Sequence, residues 1–298
     1  MNRPAARLQG YDILLYAIVV FAWGTSWIGI HLQAASPVPP EVSVFWRFLL
    51  AGLIMMALAL VKGERLALPL QAHKLFVLMG LTLFCVNLVM FYHGARQISS
   101  GLLSVVFSMA SVVNLGFAYL FFGQKLEWRV LLGAAIGTLG VFVLFVPQIF
   151  NADLGHATMI GLLFSVVGTL SFCCGNMLSF ASQRSGIPVI AGTAWSMLYG
   201  AGWLAAFCLV SGYSFMPDFS VVYLGSLAFV VLSASVLAFW AYLTLLGRIG
   251  AGRAGYATVM FPLVALAVST VAEGYVWTPL AFVGVALALG GNVLVLRR

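Results

Sequence analysis

Charge is scarce in this sequence of 298 residues, of which only 7% are Asp, Glu, Lys or Arg and seven are acidic. A soluble globular domain carries about 25% charged residues, because its surface has to interact with water. Here 63% of the residues are hydrophobic and the mean hydropathy is +1.10. The low charge and high hydropathy exclude a soluble globule and predict a chain that lies in a lipid bilayer.

Cysteines and catalytic motifs are also scarce. The four cysteines, Cys85, Cys173, Cys174 and Cys208, lie in apolar stretches, and no C-x-x-C pair occurs. We therefore expect no disulfide framework, no metal site and no other cofactor. The sequence also has no H-E-x-x-H motif and no aspartate in the interior of an apolar stretch, groups that an intramembrane enzyme would need. We predict no enzymatic activity, with a serine nucleophile and His93 as its base as a remote alternative.

Ten apolar stretches are long enough for membrane-spanning helices, since a hydrocarbon core of about 30 Å needs about 20 residues. Turn signals separate them, such as Ser36-Pro37-Val38-Pro39-Pro40. The first stretch is longer than the core of a cleaved signal peptide, which has about 7–15 residues, so we expect it to be retained. The predicted spans are residues 11–32, 41–61, 75–95, 99–121, 130–148, 158–181, 189–210, 219–246, 252–272 and 278–296.

A register of 151 residues relates the two halves of the chain. Segments 100–145 and 251–296 hold six glycines each, and four of these coincide where chance predicts about one. We predict two repeats, residues 1–148 with spans 1–5 and residues 149–298 with spans 6–10. Because each repeat has an odd number of spans, the two must cross the bilayer in opposite directions. The predicted fold is an all-α membrane protein, with ten transmembrane helices as a 5+5 inverted repeat.

The net charge of +7 follows from this topology. With a cytoplasmic N-terminus, twelve of the 14 basic residues fall on the cytoplasmic side, whereas Arg96 falls outside and Arg47 lies within the second span. Cytoplasmic loops of membrane proteins carry an excess of Lys and Arg. We therefore expect a multi-pass protein with both termini in the cytoplasm, which contacts the lipid bilayer and does not bind nucleic acid.

Polar groups deep in a membrane are costly, and they usually face a cavity. No carboxylate falls in the middle of a predicted span, which disfavours a site for lipophilic cations. Arg47 has two open interpretations, a structural role that includes a pair with Glu273 or a contact to substrate. The other interior groups would suit a ligand with an aromatic body and a small zwitterionic head, although each could instead pack helices together. The candidate cavity residues are Trp23, Thr25, Asn87, Tyr92, His93, Ser108, Ser111, Asn176, Trp240 and Tyr256.

Three of the candidate positions suggest movement or proton transfer. His93 could bind a substrate carboxylate or titrate during transport, or it could bond a neighbouring backbone group. Pro262 interrupts helical hydrogen bonding within a span, so it and Gly24 are candidates for a gate or a kink, with simple packing as the alternative. Another set of glycines predicts close helix packing at a dimer or repeat interface: Gly133, Gly137, Gly140, Gly284, Gly290 and Gly291.

Three segments carry a family resemblance: residues 95–100, their repeat copy 246–251, and residues 133–141, which read GAAIGTLGV. They resemble the drug/metabolite transporter superfamily, and more narrowly its ten-span EamA-type members. Trp23-Gly24, Trp46-Arg47 and Tyr92-His93 look most like the bacterial aromatic amino acid exporters of that superfamily. One departure is Gln124, where EamA-type repeats often have an acid. The resemblance implies export of aromatic amino acids and related small metabolites across the inner membrane by alternating access.

The substrate and the coupling mode have alternatives at this stage. The transported compounds could be other amino acids, or drugs and organic cations, which would also fit an exporter of this superfamily. Efflux down a metabolite gradient is the simplest mechanism, and proton exchange through His93 is its rival. We expect a monomer or a weak homodimer.

Overall fold

The computed structural model describes residues 9–98, 100–124, 127–144, 146, 155–272 and 277–296. Regular structure in these ranges is entirely helical, in agreement with the predicted all-α class. Seven helical stretches are long and apolar enough to cross a membrane, and two further apolar helices are shorter. The helices are α1 (Gly10–Ala34), α2 (Pro40–Val61), α3 (Leu70–Ala95), α4 (Ser100–Ser108 and Ala110–Phe122), α5 (Trp128–Leu144), α6 (His156–Arg184), α7 (Val189–Val210), α8 (Val221–Ile249), α9 (Ala251–Gly255 and Ala257–Ala272) and α10 (Pro279–Leu296).

Proline and glycine set the ends of α2 and α7. Helix α2 begins with Pro40, whose missing N–H costs nothing in the first turn, and ends before Gly63, which has a φ of +68°. Helix α7 follows Pro188, as α2 follows Pro39, and it ends before Gly212, also with a φ of +68°. Only glycine adopts this left-handed conformation without a steric penalty. The two helices therefore have matching start and stop signals.

Helices α3 and α8 each contain a π-helical segment near the middle. These segments are Gly80–Val86 in α3 and Val230–Leu237 in α8, about one repeat length apart in the sequence. A π turn widens the helix and breaks the regular i→i+4 ladder, so backbone carbonyls become available to side chains. The Ala234 carbonyl, for example, accepts a hydrogen bond from the Trp23 indole. Buried residues of both segments pack against neighbouring helices.

Helices from the two halves pack against each other in pairs. Helix α2 packs on α7, α3 on α6, α1 on α8 and α9, and α5 on α10. Between α5 and α10, a Cβ added to Gly133 would lie 2.8 Å from the Gly291 carbonyl, and one added to Gly140 would lie 2.7 Å from that of Gly284. The glycines predicted to mediate close packing thus meet within one chain. Gly290 differs, because it has open space beside it.

Two tryptophans make reciprocal contacts between the halves. The Trp46 indole on α2 donates to the Phe215 carbonyl after α7, at 2.8 Å. The Trp195 indole on α7 donates to the Leu66 carbonyl after α2, at 3.1 Å. Each helix thereby binds the segment that follows its partner, and these hydrogen bonds fix the α2–α7 pair at both ends.

Candidate functional site

A cavity of about 50 Å³ lies near the middle of the bundle. A single water needs about 10–15 Å³ by this measure, whereas small-molecule sites usually have about 300–1,000 Å³. The cavity therefore has room for only a few waters in this conformation and has to widen for a larger ligand. Its lining consists of Trp23, Ser26 and Ile30 from α1, Arg47 from α2, Asn87, Leu88 and Phe91 from α3, Phe107 from α4, Phe172 from α6, Phe239 from α8 and Phe261 from α9.

Trp23, a predicted cavity residue, lies at the centre of an aromatic cluster. Its ring stands edge-on to Phe239 at 5.0 Å, Phe261 at 5.3 Å and Phe172 at 5.9 Å between centroids. Its indole N–H donates to the Ala234 carbonyl at 2.8 Å, in the π segment of α8. That bond satisfies the buried N–H and sets the plane of the ring, so the cavity has an aromatic wall of defined orientation.

The phenylalanines of this wall are functional candidates that sequence reasoning missed. Phe107 contacts Phe91 at 5.0 Å and Phe172 at 5.1 Å, which extends the cluster from α3 to α6. Phenylalanine is also the normal residue of a lipid-facing or core position, and the chain has 23 of them. No signal in the sequence separates the cavity phenylalanines from the others, because only the packing of five helices brings them together.

Arg47 is the charged group of the cavity lining. Its side chain is only 2% exposed, and its Nε donates to Ser235 Oγ at 2.8 Å, again in the π segment of α8. Its Nη1 atom is buried without a hydrogen-bond partner. Among the described residues no carboxylate lies within ion-pair distance of it. Glu273, the partner predicted for Arg47, lies outside the described residues. Burial of a charge costs roughly several kcal/mol of folding free energy unless an opposite charge or hydrogen bonds compensate it.

Asn87 and Ser26 complete the polar part of the lining. The Asn87 amide donates to the Gly168 carbonyl on α6 at 2.9 Å, which orients a residue placed just after the π segment of α3. The Ser26 hydroxyl donates to the Trp23 carbonyl of its own helix. Asn87 was among the predicted cavity residues, whereas Ser26 was not.

Asn176 lies behind the aromatic wall. Its amide donates to the Tyr242 hydroxyl at 2.8 Å and to Asn114 Oδ1 at 3.2 Å. The Tyr242 ring in turn contacts Trp23, with 4.9 Å between the centroids. This predicted residue therefore supports the cavity through Tyr242 and does not line it.

Tyr92 and His93 lie at the end of the bundle where α2 begins. His93 Nε2 is 2.7 Å from Glu41 Oε1 on α2, with the histidine about a third exposed and the glutamate buried. The Tyr92 hydroxyl donates to Gln33 Oε1 on α1, and it is fully buried. These contacts join α1, α2 and α3, so the two predicted residues link helices at one end of the cavity and are not part of its lining.

The remaining candidates satisfy their polar groups elsewhere. The hydroxyls of Thr25, Ser108 and Ser111 donate to carbonyls of their own helices, a common role for such residues in an apolar helix. The Trp240 ring lies 5.7 Å from the Lys62 ammonium. The Tyr256 hydroxyl donates to the Ala288 carbonyl on α10, beside Gly137 and Gly291. None of these five lines the cavity described above.

The two predicted gate or kink positions lie on α1 and α9, which pack together. A Cβ added to Gly24 would lie 2.5 Å from the Val264 side chain, so Gly24 permits a close approach. Pro262 follows the lining residue Phe261, and the helical segment Ala257–Ala272 continues through it. The interruption of α9 falls at Tyr256 instead of Pro262. We therefore find no local unwinding at Pro262.

The helices and the cavity between them define a multi-pass membrane protein whose candidate site is built from both halves. Residues 11–146 match the EamA-like transporter family. A crystal structure that is 17% identical superposes with a TM-score of 0.78 and covers 96% of each chain, which shows a shared fold.

Three curated relatives extend this match over almost the whole chain. The "Probable amino-acid metabolite efflux pump" of Escherichia coli strain K12 is 25% identical and covers 96% of both chains. The "Uncharacterized inner membrane transporter YedA" of the same strain is 26% identical over 94% of this chain and 89% of its own. "Protein PagO" of Salmonella typhimurium is 22% identical over 88% and 85%. These findings support an EamA-type transporter of the drug/metabolite transporter superfamily, and the relatives together with the apolar helices support a multi-pass protein of the inner membrane.

Proposed function

We propose that this protein exports aromatic amino acids and related small metabolites. The aromatic cavity carries the proposal, because Trp23 and five phenylalanines surround a space whose polar groups are Arg47, Asn87 and Ser26. Rings stack on or against aromatic side chains, and the polar groups offer contacts to an amino acid head. A relative named as an amino-acid metabolite efflux pump supports the amino acid part.

The composition of the cavity lining disfavours the alternative of an organic-cation exporter. None of its residues is acidic within the part of the chain that the structure describes, and its one charged side chain is cationic. A cation in this space would be repelled by Arg47 at short range, where the low dielectric strengthens the interaction. Amino acids with small side chains stay the second candidate, since they share the head group but would leave the aromatic wall unused.

Transport would proceed by alternating access between two inverted repeats, residues 1–148 and 149–298, each with five spans and with both termini in the cytoplasm. The 151-residue register of the sequence supports this arrangement, as do the π segments of α3 and α8 and the reciprocal bonds of Trp46 and Trp195. The cavity is too small for tryptophan as it stands. A relative movement of the halves would widen it toward one side of the membrane at a time.

Reconstitution into liposomes tests the proposal. Liposomes would be loaded with labelled tryptophan, phenylalanine, threonine or an aromatic organic cation, and efflux compared with that from protein-free liposomes. We expect tryptophan and phenylalanine to leave fastest, threonine slowly and the cation not at all. Movement of the cation without movement of the aromatic amino acids would contradict the proposal. Repeating the assay with a pH gradient separates facilitated efflux from proton exchange.

A further inference from the structure

We infer that Arg47 binds the carboxylate of the transported compound, so that the protein selects small aromatic carboxylates, with or without an amino group, against aromatic amines. This inference rests on the proposed function and assigns the recognition step to one side chain. The position of this residue in the sequence, near one end of its span, is also compatible with a structural role.

The first argument is that Arg47 is buried without an acidic partner among the described residues. A long arginine near the end of a span can extend its charged group to the membrane surface. Arg47 does not do so, because its side chain is 2% exposed and it contributes to the cavity lining. The three ion pairs among the described residues use other basic groups, namely His93, Arg248 and Arg253. A guanidinium held in this way is stable only if an anion or several hydrogen bonds balance its charge.

The second argument is orientation. The Ser235 hydroxyl donates its proton to the Val230 carbonyl across the π turn at 2.9 Å, so its oxygen accepts from Arg47 Nε at 2.8 Å. This pair of bonds fixes one edge of the guanidinium, and the buried Nη1 atom keeps its donors without a partner. A carboxylate is the natural partner for such a group, because charge-assisted hydrogen bonds to arginine are short and strong.

The third argument is the surroundings of the charge. The same cavity that contains Arg47 is lined by Trp23, Phe91 and Phe239, so a bound carboxylate would have an aromatic body beside it. An ammonium group has no acidic partner among the lining residues described here. The cavity therefore favours a ligand whose obligatory charge is negative. A free amino group is tolerated next to Asn87, and a compound with only an amino group is excluded by Arg47.

The test uses three indole compounds that differ in their charged groups: tryptophan, indole-3-propionate, which lacks the amine, and tryptamine, which lacks the carboxylate. In liposomes with the wild-type protein, we expect indole-3-propionate to compete with labelled tryptophan and tryptamine to compete at least ten times less well, about the factor expected for one charge-assisted contact. This comparison needs no variant, so it stands even if a substitution prevents folding.

Two variants then locate the selection at Arg47. We expect Arg47→Met to lose the preference for the carboxylates over tryptamine, and Arg47→Lys to keep part of it, because lysine retains the charge without the planar fork. Arg65→Met, which removes an exposed positive charge, is the matched control and should keep the full preference.

The outcomes separate this inference from the proposed function. If Arg47→Met transports tryptophan with the wild-type preference, or if tryptamine competes with the wild-type protein as well as indole-3-propionate does, the inference is wrong although the aromatic exporter stands. If no indole compound is transported but threonine efflux depends on Arg47, the aromatic proposal is wrong and carboxylate binding by Arg47 stands.

Discussion

The contact between α5 and α10 and the central cavity differ in how the two halves of the chain contribute. At the contact the halves match, since Gly133 and Gly140 have glycines at the equivalent positions 284 and 291. In the cavity they do not match. Trp23 corresponds to Cys174 and Asn87 to Ala238 in the 151-residue register. The matching positions lie where backbones meet, and the differing ones lie where a ligand would bind.

The cavity is also divided by chemistry. Its polar lining comes entirely from the first half, through Trp23, Ser26, Arg47 and Asn87. The second half contributes three phenylalanines and the backbone and hydroxyl groups that orient these polar residues. In the proposed repeat, the positions that match between the halves are glycines of the α5–α10 contact, whereas the polar residues of the cavity lining belong to the first half. Four substitutions test this comparison.

The largest effect is expected from Trp23→Ala. Removal of this ring from its contacts with three phenylalanines should lower the free energy of unfolding by about 3–5 kcal/mol and abolish tryptophan efflux. Cys174→Ala at the equivalent position of the second half is the control, with an expected loss below about 1 kcal/mol. Thermal unfolding in detergent and liposome efflux measure both. Equal losses of stability and of efflux in the two variants would contradict the difference between the halves in the cavity.

Gly140→Ala should act on the scaffold alone. The added Cβ would lie 2.5 Å from the Ala288 nitrogen, and overpacking of this kind costs about 1–3 kcal/mol. We expect a lower unfolding temperature with unchanged selectivity among the three indole compounds. Gly290→Ala, where the structure shows open space, should change neither property. A shift in selectivity for Gly140→Ala would mean that the α5–α10 contact takes part in recognition.

Asn87→Leu should reduce transport more than it reduces stability. Loss of the bond to the Gly168 carbonyl should cost about 1–2 kcal/mol, and it removes a polar group from the cavity. We expect tryptophan efflux to become slower. Efflux of indole-3-propionate, which has no amino group, should slow down less. Asn292→Leu on α10 is the control, since Asn292 bonds Tyr16 away from the lining. Equal effects on both compounds would argue against a contact between Asn87 and the amino group.

His93→Ala should have the smallest effect. The pair with Glu41 is partly exposed, and such pairs contribute about 1 kcal/mol or less. We expect the variant to export tryptophan with the same selectivity as the wild-type protein. Efflux by both proteins would be measured on the acidic and on the alkaline side of neutrality. His73→Ala, which removes a bond to Tyr199, is the control. If efflux by the wild-type protein depends on pH and this dependence is lost only in His93→Ala, the result would support proton exchange through this residue.

The positions of the helices were largely predictable from the sequence. The apolar stretch 41–61 corresponds to α2 at Pro40–Val61, and 189–210 corresponds to α7 at Val189–Val210. Long apolar runs bounded by proline and glycine leave few alternatives in a bilayer, because every backbone group has to bond within its own helix. The π segments were not predicted, since no residue type marks a π turn in an apolar run.

The cavity was predictable only in part. Trp23 and Asn87 were found because a large aromatic ring or an amide deep in a span needs a reason to be there. Ser108 and Ser111 satisfied the same criterion, yet their hydroxyls bond their own helix. A polar residue has the same sequence signature whether its partner is the preceding turn or a ligand, so the pattern could not separate them.

The sequence by itself determined the membrane environment, the helices and their order, because hydropathy and helical hydrogen bonding act locally along the chain. It also identified the register that relates the two halves. Only the tertiary structure decided that Arg47 is buried in the cavity instead of reaching the surface, and that Phe107, Phe172 and Phe261 form one wall. These features depend on which faces of distant helices meet, and that choice is made by packing between residues far apart in the chain.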